Sequence, residues 1–236
     1  MVWWIVFALV LAGFGYLVYL IYLEVRNQHH WWHDNCVTPA QTIEDIRHVA
    51  EVFRQVLEGK GITWWLDYGT LLGAWRLGET MAFDHDLDMS FLLADAPKML
   101  ACCEELQAHG IELRLENTSI YYRGRKIGDF DTWQRFGDTL CRNDPAGREG
   151  LLKVLWPLVD DFPAAWVEPP MQIRYNGEYF PCPANTARFL RRRYLTCRLH
   201  LRMVFAHKQK CWLCRAFWRE VWRIWTCRTA PDIRPR

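Results

Sequence analysis

Acidic residues all but vanish from the end of this chain: positions 188–236 hold 14 Lys and Arg against two acids, Glu220 and Asp232. The first 187 positions carry 15 basic and 25 acidic residues, so the net charge of +2 is the balance of an acidic body and a basic tail. Such a tail suits an anionic membrane surface, a phosphate-bearing substrate or nucleic acid, and equally a solvated helix; charge alone does not choose among them. Charge of either sign is missing from Val2 to Leu23, a run of 22 residues. As a helix that run reaches about 30 Å, the thickness of a hydrocarbon core. It also lacks the basic start and the small-x-small exit of a cleaved signal, so a permanent single-pass anchor is expected. Trp3, Trp4, Tyr16, Tyr19 and Tyr22 supply interfacial aromatics. The first charges, Glu24 and Arg26, follow the run and barely vote on orientation, with a slight lean toward a cytoplasmic C-terminal side.

Internal repeats and low-complexity stretches are absent. A charged fraction of 24% and a mean hydropathy of −0.17 exclude both disorder and a multi-span membrane protein. At 236 residues the chain has room for one domain with short appendages. The nine cysteines are scattered and odd in number, which defines no disulfide framework. Cys211-Trp-Leu-Cys214 has CxxC spacing without a second CxxC or a spaced His pair, a weak zinc signal.

These features divide the chain into an anchor (1–26), a linker (27–37), a central domain (38–196) and a basic, Trp-rich tail (197–236). The linker's His29, His30 and His33 lie among Trp31 and Trp32 and read as an interfacial segment before they read as a metal site. Thr38-Pro39 predicts a helix N-cap with Pro at the first helical position, and apolar residues at helical spacing carry that helix to Gly59. Strands are expected over 62–68, 86–92, 111–116, 120–127 and 129–133. Helices are expected over 71–77, 95–109, 149–155 and 184–195. Tyr175-Asn176-Gly177-Glu178 predicts a type I′ hairpin. Interleaved strands and helices predict an α/β (α+β) domain with a mixed sheet and flanking helices.

Against this background one run stands out. On a strand Asp86 and Asp88 share a face, joined by Asp84 if the strand begins early, while Leu87, Met89 and Phe91 fill the other. No Lys or Arg lies between Met81 and Leu92 to neutralise these acids. A divalent cation with hard-oxygen preference, Mg2+ or Mn2+, is the natural counterion, usually shared with substrate phosphates. The bland alternative is a solvated strand end. Upstream, Gly69-Thr70-Leu71-Leu72-Gly73 sits between strand and helix, where backbone amides can cradle a phosphate. Arg76, two turns in, is placed to reach one. Asp129 and Asp131 stand two apart on another strand, and either a third ligand or a polar sheet edge fits that spacing.

The run Trp65 to Arg76, followed by Phe83-Asp84-His85-Asp86-Leu87-Asp88, resembles the signature of the LicD family of phosphotransferases. The resemblance implies a nucleotidyltransferase-like fold and transfer of a phosphoalcohol, such as phosphocholine or ribitol phosphate, from a CDP-activated donor to a glycan acceptor. It implies Asp86, Asp88 and Asp131 as metal ligands and catalytic residues, with Asp84 in support. Gly69, Thr70, Gly73 and Arg76 are then expected at the phosphates. Phe180 to Asn185, with Phe189-Leu190 and Tyr194, is similar to the family's closing segment, although Leu195 stands where glycine is usual. With the anchor, the resemblance implies a Golgi or endoplasmic reticulum protein with a luminal catalytic domain. A DxD glycosyltransferase using a sugar nucleotide and a non-catalytic membrane-bound scaffold are the rival readings. The spacing of Trp212, Trp218, Trp222 and Trp225 suits packing or a bilayer surface better than nucleic acid.

Overall fold

A computed structural model of the chain describes residues 2–26, 36–143, 161–194, 211 and 214–235. The His cluster of the linker and the helix expected over 149–155 lie outside the described residues. Helix α1 spans Val2–Arg26, with large apolar side chains such as Trp3, Trp4 and Leu9 exposed. Among the described residues, no helix is long and apolar enough to cross a membrane. The helix expected at the start of the chain is therefore present, while a membrane span is not among the structure's features.

The domain is built on a mixed sheet. Strands β1 (Trp64–Leu66), β2 (Leu87–Leu92), β3 (Ile111–Arg114), β4 (Ser119–Tyr122) and β5 (Arg125–Phe136) assemble in the order β1-β2-β5-β4-β3. The pair β2·β5 is parallel and the other pairs antiparallel. The far half of β5 continues the sheet into β6 (Thr139–Asn143), which pairs with β7 (Phe162–Pro163). A second antiparallel sheet joins β8 (Met171–Tyr175), β9 (Glu178–Cys182) and β10 (Ile233–Arg234) in the order β10-β8-β9. Asn176 and Gly177 take positive φ, 52° and 95°, in the expected β8–β9 turn.

Helix α2 (Ala40–Leu57) buries Ile46, Val49, Ala50, Phe53 and Val56, the stripe its 3.6-residue period requires. Thr38 does not cap it. Its hydroxyl donates instead to the Asp84 carbonyl at 2.7 Å, and its amide reaches Ala82 O. Helix α3 (Tyr68–Leu77) packs on β2 and β8, and the short helices α4 (Ala96–Ala101) and α5 (Cys103–Ala108) lead into β3, on which α5 packs. The expected helix over 95–109 is thus two short ones. Helix α6 (Thr186–Tyr194) closes the region after β9, and α7 (Arg215–Thr226) is the basic helix near the end.

Two expected strands, 120–127 and 129–133, prove to be cut in the wrong place. The chain reverses at Arg123 and Gly124, with φ of 51° and 78°, and then runs as one strand from 125 to 136. Gly128 lies inside that strand because β2 presses on it: a Cβ there would sit 2.2 Å from the Leu87 carbonyl oxygen. The core between sheet and helices is unusually aromatic, with Trp64, Trp65, Trp133, Phe53, Phe91 and Phe162 almost wholly buried. Each such side chain contributes about 1.5–3 kcal/mol by leaving water, and together they make the sheet a rigid base for what it displays.

Candidate active site

The site forms where β1 ends and α3 begins. Asp67 leaves the strand in extended conformation and its carboxylate accepts from the Tyr68 amide at 2.7 Å, capping a helix that starts three residues earlier than its apolar period suggests. Tyr68 then takes φ of 41°, a left-handed conformation rare outside glycine. This turn delivers Gly69 and Thr70 to β2. The Gly69 amide donates to Asp88 Oδ2 at 3.2 Å, and Asp67 N donates to Asp88 O at 3.0 Å. The Thr70 hydroxyl accepts from Asp88 N at 2.9 Å and donates to Asp86 O at 3.4 Å. A Cβ on Gly69 would stand 2.7 Å from Asp84 Oδ2, so only glycine lets the turn come this close to the carboxylates.

Asp84 is 2% exposed, and ligand atoms of Asp84, His85 and Asp86 lie within 4.8 Å of one another. Asp88 joins them electrostatically. Burial, then the charges of Asp86, Asp84, Asp129 and Asp67, holds its carboxyl well above the usual carboxylate range. On the parallel neighbour, Asp129 stands beside Asp88 and Asp131 beside Ser90, all on one face of the sheet. Asp129 is neutralised by Lys126 at 2.7 Å and accepts from the Ser119 hydroxyl at 3.0 Å. Asp131 is 8% exposed and raised by burial, which Arg142 at 2.9 Å opposes.

The donor set suits a hard divalent cation. It offers several carboxylate oxygens and one imidazole, crowded and partly desolvated, and every strong influence on Asp88 is burial or another acid. The structure thus brings together Asp84, Asp86, Asp88, Gly69 and Thr70, and places Asp131 one register step further along. Asp84, the lesser member of the expected set, is the most buried of its group, and His85 joins it without having been foreseen.

Arg76 and Gly73 are placed differently from expectation. The Arg76 guanidinium donates to Ile224 O at 2.9 Å and to the Cys227 carbonyl, gathering the C-terminal carbonyls of α7. Gly73 faces the Glu79 carbonyl oxygen, 2.8 Å from where a Cβ would be, so its role is close packing of α3 on the turn before the acidic run. Sequence reasoning missed Asp67, Tyr68, Arg142 and Arg193, whose placement at the site rests on tertiary contacts that no local pattern announces. Asp67 Oδ2 accepts from the Ser90 hydroxyl at 2.6 Å, which in turn accepts from Trp133 Nε1 at 2.9 Å, and Arg193 lies 3.3 Å away.

Helix α7 supports the same region from outside. Phe217, Glu220, Val221 and Ile224 face inward, whereas Trp222 is 69% exposed. Phe217 packs on Phe83 at 5.5 Å between ring centroids, and Glu220 accepts from Ala82 N at 3.1 Å. Arg223 links Glu220 to Glu79, each at 2.7 Å. A disulfide joins Cys36 to Cys211, so Cys211 does not serve a CxxC metal site.

The comparisons with known proteins bear on this geometry. Residues 61–185 match a family model described as LicD/FKTN/FKRP, nucleotidyltransferase domain. Two curated relatives, the ribitol 5-phosphate transferase FKRP of Mus musculus and that of Homo sapiens, are each 27% identical over 162 residues, 65% of this chain and 32% of theirs. The chain thus spans about a third of the length of the curated relatives it matches. The match takes in β1, the Gly69-Thr70 turn, the acidic run and Asp131, and stops before Arg193 and α7. Covering more than half of the sequence and every carboxylate of the site, it establishes that the chain belongs to the LicD family, of which it carries the nucleotidyltransferase domain.

Proposed function

We propose that this chain transfers a phosphoalcohol, of the ribitol phosphate type, from a CDP-activated donor to a hydroxyl of a glycan. The observation that carries this reading is the stapling of Gly69-Thr70 to Asp88 next to the cluster of Asp84, His85 and Asp86, within a domain of the LicD family. The activity by which the two similar transferases are named supports the choice of ribitol phosphate over phosphocholine.

Asp84, Asp86 and Asp88, with His85 beside them and Asp131 on the neighbouring strand, would hold Mg2+ or Mn2+. Such a cation neutralises charge building on the transferred phosphoryl group. In the reaction the glycan oxygen bonds to the β-phosphorus, the bond to the CMP oxygen breaks, and CMP departs. A carboxylate kept basic by burial, Asp88 or Asp131, takes the hydroxyl proton. Thr70 and Gly69 do not move in this scheme; they hold Asp88 where the reaction needs it. Arg76, committed to α7, takes no part at the phosphates.

The charge-free run from Val2 would hold the chain to a Golgi or endoplasmic reticulum membrane, with the domain in the lumen. The Cys36–Cys211 disulfide supports an oxidising compartment.

The full chain, offered CDP-ribitol, CDP-choline and sugar nucleotides with Mn2+ or Mg2+, is expected to release CMP from CDP-ribitol in the presence of an acceptor glycan. EDTA should stop the release and added cation restore it. Turnover of a sugar nucleotide in place of every CDP-alcohol, or turnover indifferent to EDTA, would reject the reading.

A further inference from the structure

Arg193 lies beyond the end of the family match, yet its side chain is 3% exposed and reaches the strand-to-helix turn of the site. An arginine so deeply buried is costly unless its charge and its planar face are both used. The charge meets Asp67 Oδ2 at 3.3 Å. The face lies over the Tyr68 ring, 3.8 Å from guanidinium carbon to centroid, and Phe189, Phe162 and Trp133 wall it in at 4.9, 5.3 and 5.6 Å. Asp67 already accepts from the Tyr68 amide and the Ser90 hydroxyl, so neutral donors meet part of its demand. Beyond its charge, Arg193 supplies the planar face stacked on Tyr68.

Tyr68 needs such support. It holds φ of 41° without being glycine, and such conformations persist only where the surroundings over-determine them. The next residue, Gly69, gives its amide to Asp88, and the Tyr68 side chain is a hydrogen-bond partner of Asp131. One side chain therefore influences the placement of groups on both β2 and β5.

We propose that Arg193 is a positioning residue of the carboxylate site: by stacking on Tyr68 and pairing with Asp67, it holds the left-handed turn that presents Gly69 to Asp88. The proposal rests on the phosphotransferase reading only for what the positioned carboxylates are used for.

The test uses the full chain as wild type, R193K and the double variant D67N/R193M. The lysine keeps a charge near Asp67 without the planar face, and the double variant removes both charges while Asn still caps α3. Hydrogen exchange read by mass spectrometry over 67–73 and over β2, without metal, reports the turn. Electron paramagnetic resonance of Mn2+ reports the carboxylates. Both variants should exchange faster at 67–73 and at Asp88, whose amide Thr70 holds, on the order of tenfold, with β2 beyond Asp88 unchanged, and should bind Mn2+ roughly 10- to 100-fold more weakly. A double variant with wild-type exchange and Mn2+ affinity would show that Arg193 merely neutralises Asp67, and loosening spread across β2 would show a general core support; either overturns the proposal. A wild-type chain that binds no Mn2+ would remove the cation reading, while exchange at 67–73 would still decide the role of Arg193.

Discussion

Asp88 is held in a conflict that the polypeptide alone does not resolve. Its charged form is disfavoured by burial and by Asp86, Asp84 and Asp129, while Gly69 and Thr70 fix it in place. Asp88→Asn keeps an acceptor for the Gly69 amide and removes the repulsion. The variant should melt higher than wild type in EDTA and transfer nothing above a no-enzyme control; a melting point at or below wild type would show that the acids do not strain the fold. Gly69→Ala would set a methyl 2.7 Å from Asp84 Oδ2, a side chain that can move, whereas Gly128→Ala would set one 2.2 Å from the Leu87 carbonyl, which cannot. The first should fold but bind Mn2+ at least roughly 10-fold more weakly. The second should lose about 3 kcal/mol or more in a denaturant titration, the upper range of overpacking. The placing of Asp86 and Asp88 beside the Gly69-Thr70 turn was legible because it is local: alternation puts the acids on one face, and a turn of Gly and Thr precedes them. Asp67 and Arg193 were not, since an ion pair across 126 positions leaves no periodic trace.

At the scale of elements, α7 is joined to the loop that leads into the acidic run. Glu220 accepts from Ala82 N, two residues before Asp84, and Phe217 packs on Phe83. Glu220→Ala leaves the Ala82 amide without that acceptor and takes a carboxylate from Arg223. It should cost about 1–3 kcal/mol by thermal or denaturant melting and weaken Mn2+ binding as well. Glu220→Gln, which can still accept from Ala82, should lose less on both counts; equal losses would assign the effect to charge alone. This arrangement explains why Arg76 points to α7 and not to the turn. A guanidinium two turns past a phosphate-type turn has the expected reach, but nothing around it announces that a helix some 150 residues later will present its carbonyls there. Thr38 deceived in the same way, exchanging a local cap for the Asp84 carbonyl. The 12-residue β5 runs through Gly128, where the expected strands 120–127 and 129–133 part, and the close approach of the Leu87 carbonyl is why a glycine stands inside it. The mixed α/β architecture and the 176–177 hairpin, by contrast, follow from period and turn chemistry.

For the whole molecule the carboxylates tie stability to pH and to cation. The folded-state pKa of Asp88 lies above its ordinary value, so between the two the folded chain binds more protons than the unfolded one. Stability from this group is therefore greatest below the ordinary carboxylate pKa and declines as pH rises toward the folded value. Asp131 adds to the same trend, since burial raises it too. In EDTA, the contribution of these acids should make the chain less stable at neutral pH than at mildly acidic pH. Mn2+ should raise the melting temperature more at pH 7.5 than at pH 5; an equal rise at both would detach the cation from these groups.

The bond between Cys36 and Cys211 has one more consequence. It closes a ring of backbone that contains every carboxylate of the site, with α7 attached just outside it. A single peptide cleavage anywhere within that ring leaves one covalent molecule, with both halves of the sheet still tethered. Reduction should then turn one band on a gel into two, and a nicked chain should outlast an identical nick in Cys211→Ser.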